Sequence, residues 1–441
     1  MKRNTDLIFQ HLLWRGLYFF SVLLINVFIA RFFAAEKSGQ IFYIVNNLAL
    51  ILLIVSISLE SGASYYIASG YLQASGMANF CLVWATAASL FALSGWWATL
   101  YFSHSIYLAD PAFLLTSFLF ILGVLLTTYF TALFYAKKEF GLPNKILFGL
   151  NMLLVVLLVT GRNNVFLKAH FIQVYFSSFF LQGWLLKIFF FRKHAIKSKF
   201  MFPPGPVLNK IIRYSLAALL ANLIYFLVNR IDYWFVKRFC SAGDLGNYIQ
   251  ASKLAQMLLI LPAILGSTLF PIFSSQKESG NESRLTASVR ILFWINGGIC
   301  LLILCVGWFL IPLVFGTSFN NMYLLFVLLI PGILCITMNY PVTSWFAANR
   351  RIGINIRGSL LALIVICTGD LIILPRYGVL FAPIVSSAGY LSYFGYTLYM
   401  YRMDYTVTWK ELLLIRKSDL NQIRQSTEML TPESSPENPI V

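Results

Sequence analysis

The stretch NRIDYWFVKRFCSAGDLGNYIQASKLAQ, residues 229–256, concentrates charge in a chain that otherwise contains little of it. Its charged residues are Arg230, Asp232, Lys237, Arg238, Asp244 and Lys253. Part of this stretch, RFCSAGDLG at 238–246, resembles RFFAAEKSG at 31–39, with Arg, Phe, Ala and Gly at the same offsets. The match predicts two similar halves, each with a first helix that ends at this motif.

The composition decides the class of protein. Of the 441 residues, 59% are hydrophobic and 11% are charged, whereas a soluble domain typically carries about 25% charged residues. Too little polar material remains to cover a water-soluble particle, so we expect the chain to lie in a bilayer. A net charge of +17 is also typical of nucleic-acid binding, but in a membrane protein it indicates Lys and Arg in cytoplasmic loops. We therefore expect no nucleic-acid partner.

Apolar runs long enough for a transmembrane helix of about 20 residues occur in two sets of six. The first set lies near residues 11–33, 40–59, 77–103, 111–135, 142–160 and 166–191. The second set lies near residues 212–236, 246–272, 288–312, 322–347, 355–374 and 379–401. We predict an all-α polytopic membrane protein with about 12 transmembrane helices in two parallel-repeat bundles of six.

A second internal match supports the two halves. AKKEFG at 136–141 and ANRRIG at 348–353 both follow the fourth predicted helix of their half. Matched halves in the same orientation are typical of many secondary transporters. The predicted domains are an N-terminal bundle at 1–198, a cytoplasmic basic linker at 199–211, a C-terminal bundle at 212–402 and an amphipathic, then disordered, cytoplasmic tail at 403–441.

The distribution of basic residues predicts the orientation. One set of loops is rich in Lys and Arg, as in the two matched turns at 136–141 and 348–353. The opposite loops, SHSIYLADP at 103–111 and VFGTSFNN at 314–321, contain neither. Both termini are therefore expected in the cytoplasm.

Several segments in order carry a family resemblance. They are ARFFAAEKSGQIFYI (30–44), RIDYWFVKRFCSAGDLGNYIQASKLAQ (230–256), LPAILGSTLFPIFS (261–274), VFGTSFNNMYLLFVLLIPGIL (314–334) and ILPRYGVLFAPIVSSAGY (373–390). Over residues 5–402 the chain resembles Wzx-type polysaccharide flippases of the multidrug/oligosaccharidyl-lipid/polysaccharide (MOP) exporter superfamily. The resemblance implies a MATE/MOP-like fold with two bundles around a central cavity. It also implies movement of undecaprenyl-diphosphate-linked oligosaccharide or polysaccharide precursors, such as those of O-antigen, across the bacterial inner membrane.

Two other functions stay open at this point. A multidrug or cation exporter of the same superfamily should have a less basic and more acidic cavity, whereas the cavity predicted here is basic. A membrane enzyme of glycan assembly, such as a polymerase or ligase, typically has a large outer loop, and no predicted outer loop exceeds roughly a dozen residues. The cysteines, histidines and carboxylates show no catalytic or metal-ligand spacing, so we expect no enzyme, no metal and no cofactor apart from a coupling proton or sodium ion.

The basic residues of the predicted helices 7 and 8 are candidates for binding a diphosphate. Arginine binds phosphate oxygens at two points, and ionisable residues inside a membrane are functional candidates. The candidate cations are Arg230, Lys253, Lys237, Arg238 and Arg31. For Arg230, Lys237 and Arg238 the alternative is that the side chains lie at the outer membrane interface or pair with Asp232.

Two carboxylates and several uncharged residues complete the candidate site. Asp370 and Asp232 are candidates for coupling to a proton or sodium ion. Asp370 stands where an asparagine is common in such proteins, and it could equally be a solvated residue near a helix end. Candidate polar cavity residues, which are alternatively helix–helix hydrogen bonds, are Asn46, Asn47, Asn222, Gln256 and Asn339. Candidate hinges, which are alternatively inert kinks, are Pro262, Pro331 and Pro341.

Overall fold

The structure is a computed structural model that describes residues 2–68, 73–102, 104, 110–161, 163–196, 202–275, 281–405 and 407–414. These ranges consist of helices joined by short connections and contain no β-strand. The predicted all-α class is confirmed. Most of the tail predicted at 403–441 lies outside the described residues, because the description ends at residue 414.

Sixteen α-helices follow one another along the described chain. The first seven are α1 (Lys2–Ser56), α2 (Leu59–Ala68), α3 (Ala74–Phe102), α4 (Pro111–Ala136), α5 (Gly141–Thr160), α6 (Val165–Ala169) and α7 (Phe171–Lys193). The next five are α8 (Gly205–Arg230), α9 (Asp232–Phe239), α10 (Ala242–Leu258), α11 (Ile260–Ser275) and α12 (Asn281–Phe315). The last four are α13 (Met322–Ala348), α14 (Ile352–Tyr377), α15 (Ala382–Asp404) and α16 (Trp409–Leu413).

Ten helical segments among the described residues are long and apolar enough to cross a membrane. The predicted spans 11–33 and 40–59 both fall in one of them, residues 13–56. A straight helix of that length would measure about 66 Å, roughly twice the hydrocarbon thickness of a bilayer. The span predicted at 379–401 corresponds to α15, which is not among the ten. The chain is thus a multi-pass membrane protein, and the number twelve stays a prediction.

The backbone confirms that the first matched motif interrupts a helix in both halves. In RFFAAEKSG the residue Ala34 has φ 58° and ψ −178°, which is not helical, so α1 is two helical segments joined there. In RFCSAGDLG the equivalent residue is Ser241, whose extended backbone caps α10. The Ser241 hydroxyl accepts from the Asp244 amide at 3.1 Å, and the Asp244 carboxylate accepts from the Ser241 amide at 3.3 Å. Asp244 is therefore a capping residue.

The second matched motif forms the same turn in both halves. Helices α4 and α13 end at Ala136 and Ala348, and two residues later Lys138 and Arg350 have φ values of 59° and 60°. A side chain in this left-handed region is strained by its Cβ atom, which is why glycine is usual there. Two non-glycine residues with the same conformation at matched positions indicate that the halves share one local structure.

Replacing Arg350 with glycine should raise the free energy of unfolding by about 0.5–1 kcal/mol, since relief of the strain exceeds the entropy that glycine adds to the unfolded chain. The measurement is the melting temperature of the purified protein in detergent. Lys145→Gly is the matched control, because Lys145 is an exposed residue inside α5 and glycine there should lower stability by about 1 kcal/mol. A loss of stability in Arg350→Gly as large as in the control would contradict this reading of the turn.

The described chain divides into two compact units between Phe226 and Leu227, inside α8. This division lies beyond the end of the predicted linker at 199–211, because the first part of α8 packs on α2. A Cβ atom at Gly62 would lie 2.4 Å from the Ser215 hydroxyl, so glycine permits the close approach. The Tyr65 and Tyr214 rings stack at 5.1 Å. The predicted bundle boundaries themselves stay a prediction.

The predicted hinge Pro262 lies at an interruption between α10 and α11. Proline has no amide hydrogen and its ring clashes with the carbonyl four residues earlier, here that of Leu258, the last residue of α10. The Asn296 amide donates to the Leu258 carbonyl at 3.1 Å and so replaces the missing helical bond. Pro331 and Pro341 lie inside the continuous helix α13. Only Pro262 therefore coincides with a break, and a hinge role for the three prolines stays a prediction.

Candidate functional site

The Asp232 carboxyl group, at the start of α9, joins three helices of the second unit. It is buried, with 2% of its surface exposed. Its Oδ2 accepts hydrogen bonds from the Tyr248 hydroxyl on α10 and, at 3.0 Å, from the Ser386 hydroxyl on α15. The two hydroxyl oxygens lie 3.2 Å apart. Side chains that are distant in sequence thus meet at one carboxyl group.

Asp370 on α14 lies close to this network. Its side chain is fully buried, and neither carboxyl oxygen has a hydrogen-bond partner among the described residues. Oδ1 of Asp232 also lacks a partner within the described ranges. The two carboxyl groups interact electrostatically, and two negative charges repel each other strongly where the dielectric constant is low. Such a pair is suited to hold a proton or a small cation.

The burial of Asp370 tests the alternative that this residue is solvated near a helix end. Helix α14 continues through Pro375 and ends at Tyr377, about two turns beyond Asp370. The idea that Asp370 is a solvated residue at a helix end is therefore wrong. The structure brings Asp370 together with Asp232, the other residue predicted for ion coupling.

A second network begins at Tyr233 and joins α9 to α10. The Tyr233 hydroxyl donates to the Ser252 hydroxyl at 2.9 Å. The Gln256 amide donates to the Ser252 hydroxyl and to the Asn229 carbonyl, each at 3.3 Å. These bonds fix the helical turn that carries Lys253.

The predicted cations Arg230 and Lys253 lie near each other. Arg230 is the last residue of α8 and Lys253 is on α10, and both side chains are half-buried. They are close enough to interact electrostatically, and Arg230 also interacts with Tyr233. Two basic side chains near each other are the kind of group that binds phosphate oxygens. A role of Arg230 and Lys253 in binding a diphosphate stays a prediction.

The other predicted cations have exposed side chains. Lys237 and Arg238 lie in the last turn of α9, where a positive charge interacts favourably with the helix dipole. Arg31 is an exposed residue of α1 in the first unit. This placement agrees with the interfacial alternative for these side chains, and their role in binding stays a prediction.

The predicted polar cavity residues fall into two groups. Asn339 on α13 accepts from the Thr397 hydroxyl on α15 at 2.6 Å, as expected of a helix–helix hydrogen bond. Asn222 on α8 donates at 3.0 Å to the hydroxyl of Ser58, in the turn between α1 and α2. Gln256 belongs to the Tyr233 network, and Asn47 interacts with Tyr43 of its own helix, while the buried Oδ1 of Asn47 has no hydrogen-bond partner among the described residues. Asn46 differs from them, because both polar atoms of its buried side chain lack a partner among the described residues. A cavity-facing role of these five residues stays a prediction.

Comparison with known proteins identifies the family to which the chain belongs. The sequence profile of the family described as polysaccharide biosynthesis protein matches residues 71–324, more than half of the chain. The chain belongs to this family. The matched part includes Arg230, Asp232 and Lys253, whereas Asp370 and Ser386 lie outside it.

Several solved structures of other proteins share the fold of this polysaccharide biosynthesis protein, although their sequences are only distantly similar to it. The lipid II flippase MurJ in an inward closed conformation is 15% identical, with a TM-score of 0.69 over 96% of this chain and 94% of that one. An inward-facing MATE-family multidrug resistance transporter of the MOP superfamily is 12% identical, with a TM-score of 0.67 over 88% and 94%. A MOP-superfamily transporter from Pyrococcus furiosus, described as having a binding pocket of reverse polarity, is 10% identical, with a TM-score of 0.61 over 91% and 94%. The predicted MATE/MOP-like fold is confirmed. No curated protein sequence matches the chain.

Four hydroxyl-bearing residues in the two hydrogen-bond networks of the polysaccharide biosynthesis protein are not among the site residues predicted from the sequence. They are Tyr233, Tyr248, Ser252 and Ser386. Buried hydroxyl groups need hydrogen-bond partners, so a hydroxyl in an otherwise apolar helix is a weak signal of such a network. The signal does not identify the hydrogen-bond partner, because the partner can be far away in the sequence: Ser386 donates to Asp232, 154 positions away.

Proposed function

We propose that this protein is a flippase that moves undecaprenyl-diphosphate-linked oligosaccharide or polysaccharide precursors from the cytoplasmic to the outer leaflet of the bacterial inner membrane by alternating access. The observation that carries the proposal is the Arg230–Lys253 pair. Both residues of this polysaccharide biosynthesis protein lie within helical segments that are long and apolar enough to cross a membrane. Ionisable residues at such positions are costly and are usually retained for function.

The chemistry of the substrate explains why these cations are needed. A charged diphosphate that enters an apolar region without a partner loses its hydration at a cost of many kcal/mol. Arg230 offers a planar pair of donors for phosphate oxygens, and Lys253 adds a second positive charge. The uncharged polyprenyl tail needs no cationic partner because it can stay in the hydrocarbon of the bilayer.

Coupling to an ion is the second element of the proposal. Asp232 and Asp370 would bind a proton or a sodium ion, with the Tyr248 and Ser386 hydroxyl groups as neighbouring oxygen atoms. Binding of a positive charge would remove the repulsion between the two carboxylates and change the packing of α9, α10, α14 and α15. The ion gradient could then drive the change between the two states of access.

The proposed setting follows from the substrate. Both termini would face the cytoplasm, the side on which the two basic turns at 136–141 and 348–353 would lie. Glycosyltransferases would supply the lipid-linked glycan at the inner leaflet, and a polysaccharide polymerase would use it at the outer leaflet. Among the surface polymers made in this way, O-antigen of lipopolysaccharide is one candidate product.

A multidrug or cation exporter is the second candidate, and a specific observation favours it. The buried carboxyl pair Asp232–Asp370 would suit a cationic substrate as well as a coupling ion. The Arg230–Lys253 pair argues against this function, because it would repel a cation. The third candidate, a membrane polymerase or ligase, has no comparable support.

Deletion of the gene from its bacterium distinguishes the three functions. We expect surface glycan to disappear while the lipid-linked precursor accumulates, and the wild-type gene should restore export. The measurements are an immunoblot of surface glycan and mass spectrometry of extracted lipid-linked sugars. Normal glycan together with sensitivity to cationic drugs would indicate the exporter. Short, unpolymerised glycan on the cell surface would indicate the enzyme.

A further inference from the structure

Basic and aromatic side chains lie together where α1, α4 and α5 of the first unit meet. The guanidinium carbon of Arg15 on α1 lies 5.9 Å from the ring centres of both Phe19 and Tyr135. The Nζ atom of Lys145 on α5 lies 5.1 Å from the centre of the Trp14 ring. A positive charge over an aromatic face is attracted by the ring electrons. The rings therefore hold both cations at the surface of the unit.

Helix α5 and the turn before it hold the aromatic rings in place. The Tyr135 hydroxyl donates to Oδ1 of the buried Asn144 at 2.9 Å, and the Asn144 amide donates to the Phe140 carbonyl at 2.8 Å. The Trp14 ring meets the Phe148 ring edge-on, with 6.0 Å between their centres. The rings beneath the two cations thus have fixed positions, so the cations have a defined place as well.

Neither cation has an acidic partner. Arg15 and Lys145 are exposed and form no ion pair within the described part of the chain. The nearby turn after α4 contains an acidic residue, Glu139, but its carboxylate lies 3.1 Å from Nζ of Lys193 on α7. The two positive charges are therefore available to an anion from outside the chain.

The turn after α4 adds further positive charge, since Lys137 and Lys138 are both exposed. The matched turn of the second unit carries Arg350 and Arg351, but there Arg351 forms an ion pair with Asp404. The described part of the first unit has no such counter-charge for its two lysines. An excess of positive charge is thus a specific feature of this end of the first unit.

An apolar surface continues from the cations along α5. The exposed residues Lys145, Gly149, Leu153 and Val156 follow one another at intervals of three or four positions, so they lie on one side of the helix. Leu153 and Val156 have 60% and 53% of their surfaces exposed. Helix α5 is itself long and apolar enough to cross a membrane. A molecule with a negative headgroup and apolar chains matches cations that are followed by apolar side chains.

We propose that Arg15 and Lys145, with Lys137 and Lys138 beside them, bind the phosphodiester headgroup of an anionic phospholipid whose acyl chains lie along α5. Guanidinium and ammonium groups donate strong, charge-assisted hydrogen bonds to phosphate oxygens. Basic residues between membrane helices near the cytoplasmic surface are typical of sites for anionic lipids. The site belongs to the first unit, whereas the proposed diphosphate site belongs to the second, and it does not depend on the flippase function.

The test compares two phospholipids that differ only in the headgroup. The full-length protein in detergent is titrated with phosphatidylglycerol or with phosphatidylcholine of the same acyl chains, and bound lipid is measured by native mass spectrometry. We expect the wild-type protein to bind phosphatidylglycerol about tenfold more tightly. The double variant Arg15→Gln/Lys145→Gln should lose most of this preference, and each single variant should lose part of it. A third titration uses undecaprenyl diphosphate.

Arg350→Gln/Arg357→Gln is the matched control, because it removes two exposed cations from the second unit and changes the net charge by the same amount. It should keep the full preference, and a single symmetric peak in size-exclusion chromatography checks that each variant is folded. Equal binding of both phospholipids by the wild-type protein would overturn the proposal, as would a preference that survives in Arg15→Gln/Lys145→Gln. An equal loss in the control would overturn it too, because net charge alone would then explain the preference. These results would leave the flippase function intact. Tighter binding of undecaprenyl diphosphate than of phosphatidylglycerol, lost in Arg15→Gln/Lys145→Gln, would assign the surface to the transported lipid instead.

Discussion

Replacing Arg230 or Lys253 with alanine is expected to abolish export of the lipid-linked glycan while the amount of protein in the membrane stays normal. Each change removes one of two neighbouring basic side chains and leaves the diphosphate partly unpaired in an apolar region. Loss of one partner from a desolvated charge pair typically costs about 2–5 kcal/mol, which is roughly 30-fold or more in affinity. The measurements are an immunoblot of surface glycan and an immunoblot of the tagged protein.

Arg376→Ala is the matched control for Arg230→Ala. Both arginines lie in the last turn of a membrane-spanning helix, but Arg376 is exposed whereas Arg230 is half-buried. The control should export glycan at the wild-type level. Unchanged export in both Arg230→Ala and Lys253→Ala would contradict the assignment of the diphosphate site.

Replacing Asp370 with asparagine is expected to make transport independent of the ion gradient. The amide keeps the size of the side chain but cannot exchange a proton or hold a cation by charge, so the coupling step is lost. Stability should be unchanged or higher, because the buried Asp370 carboxyl group has no hydrogen-bond partner in the described part of the chain, and such a group is costly to the folded state. The measurements are the rate of glycan-lipid movement in proteoliposomes with and without an imposed proton or sodium gradient, and the melting temperature of each variant.

Asp232→Asn should have the same effect on coupling but a different effect on stability. Both hydrogen bonds go to one oxygen of the Asp232 carboxylate. An amide oxygen can accept both, but bonds to a neutral acceptor are weaker than bonds to a charged one, so the melting temperature should fall. The control is Asp404→Asn, which removes an exposed carboxylate that forms an ion pair with Arg351. If both Asp370→Asn and Asp232→Asn retain the full response to each gradient, ion coupling at this pair is excluded.

Much of the fold could be predicted because it depends on local properties of the sequence. Long apolar runs predict membrane-spanning helices, and the two matched motifs predict where helices end in each half. The structure gives Ala34 and Ser241 non-helical backbones, and it gives Lys138 and Arg350 the same left-handed conformation. The division inside α8 could not be predicted, since it depends on how closely α2 and α8 pack at Gly62.

The candidate site was only partly predictable, because charge is visible in a sequence and hydrogen-bond partners are not. Arg230, Lys253 and Asp370 were identifiable as ionisable residues inside apolar runs. Whether each side chain is buried depends on neighbouring helices, and this is why Lys237 is exposed whereas Asp370 is fully buried. The Tyr248–Ser386 contact joins residues 138 positions apart, a separation that no local pattern records.

The most direct test of the central claim is movement of a fluorescent undecaprenyl-diphosphate-linked sugar across the bilayer of proteoliposomes that contain the purified protein. A membrane-impermeant quencher added outside destroys the fluorescence of the outer leaflet and spares the inner leaflet of protein-free vesicles. We predict that the wild-type protein makes this protected fraction accessible to the quencher, and that Arg230→Ala leaves it protected. A wild-type protein that leaves the inner leaflet as well protected as in protein-free vesicles would contradict the flippase function.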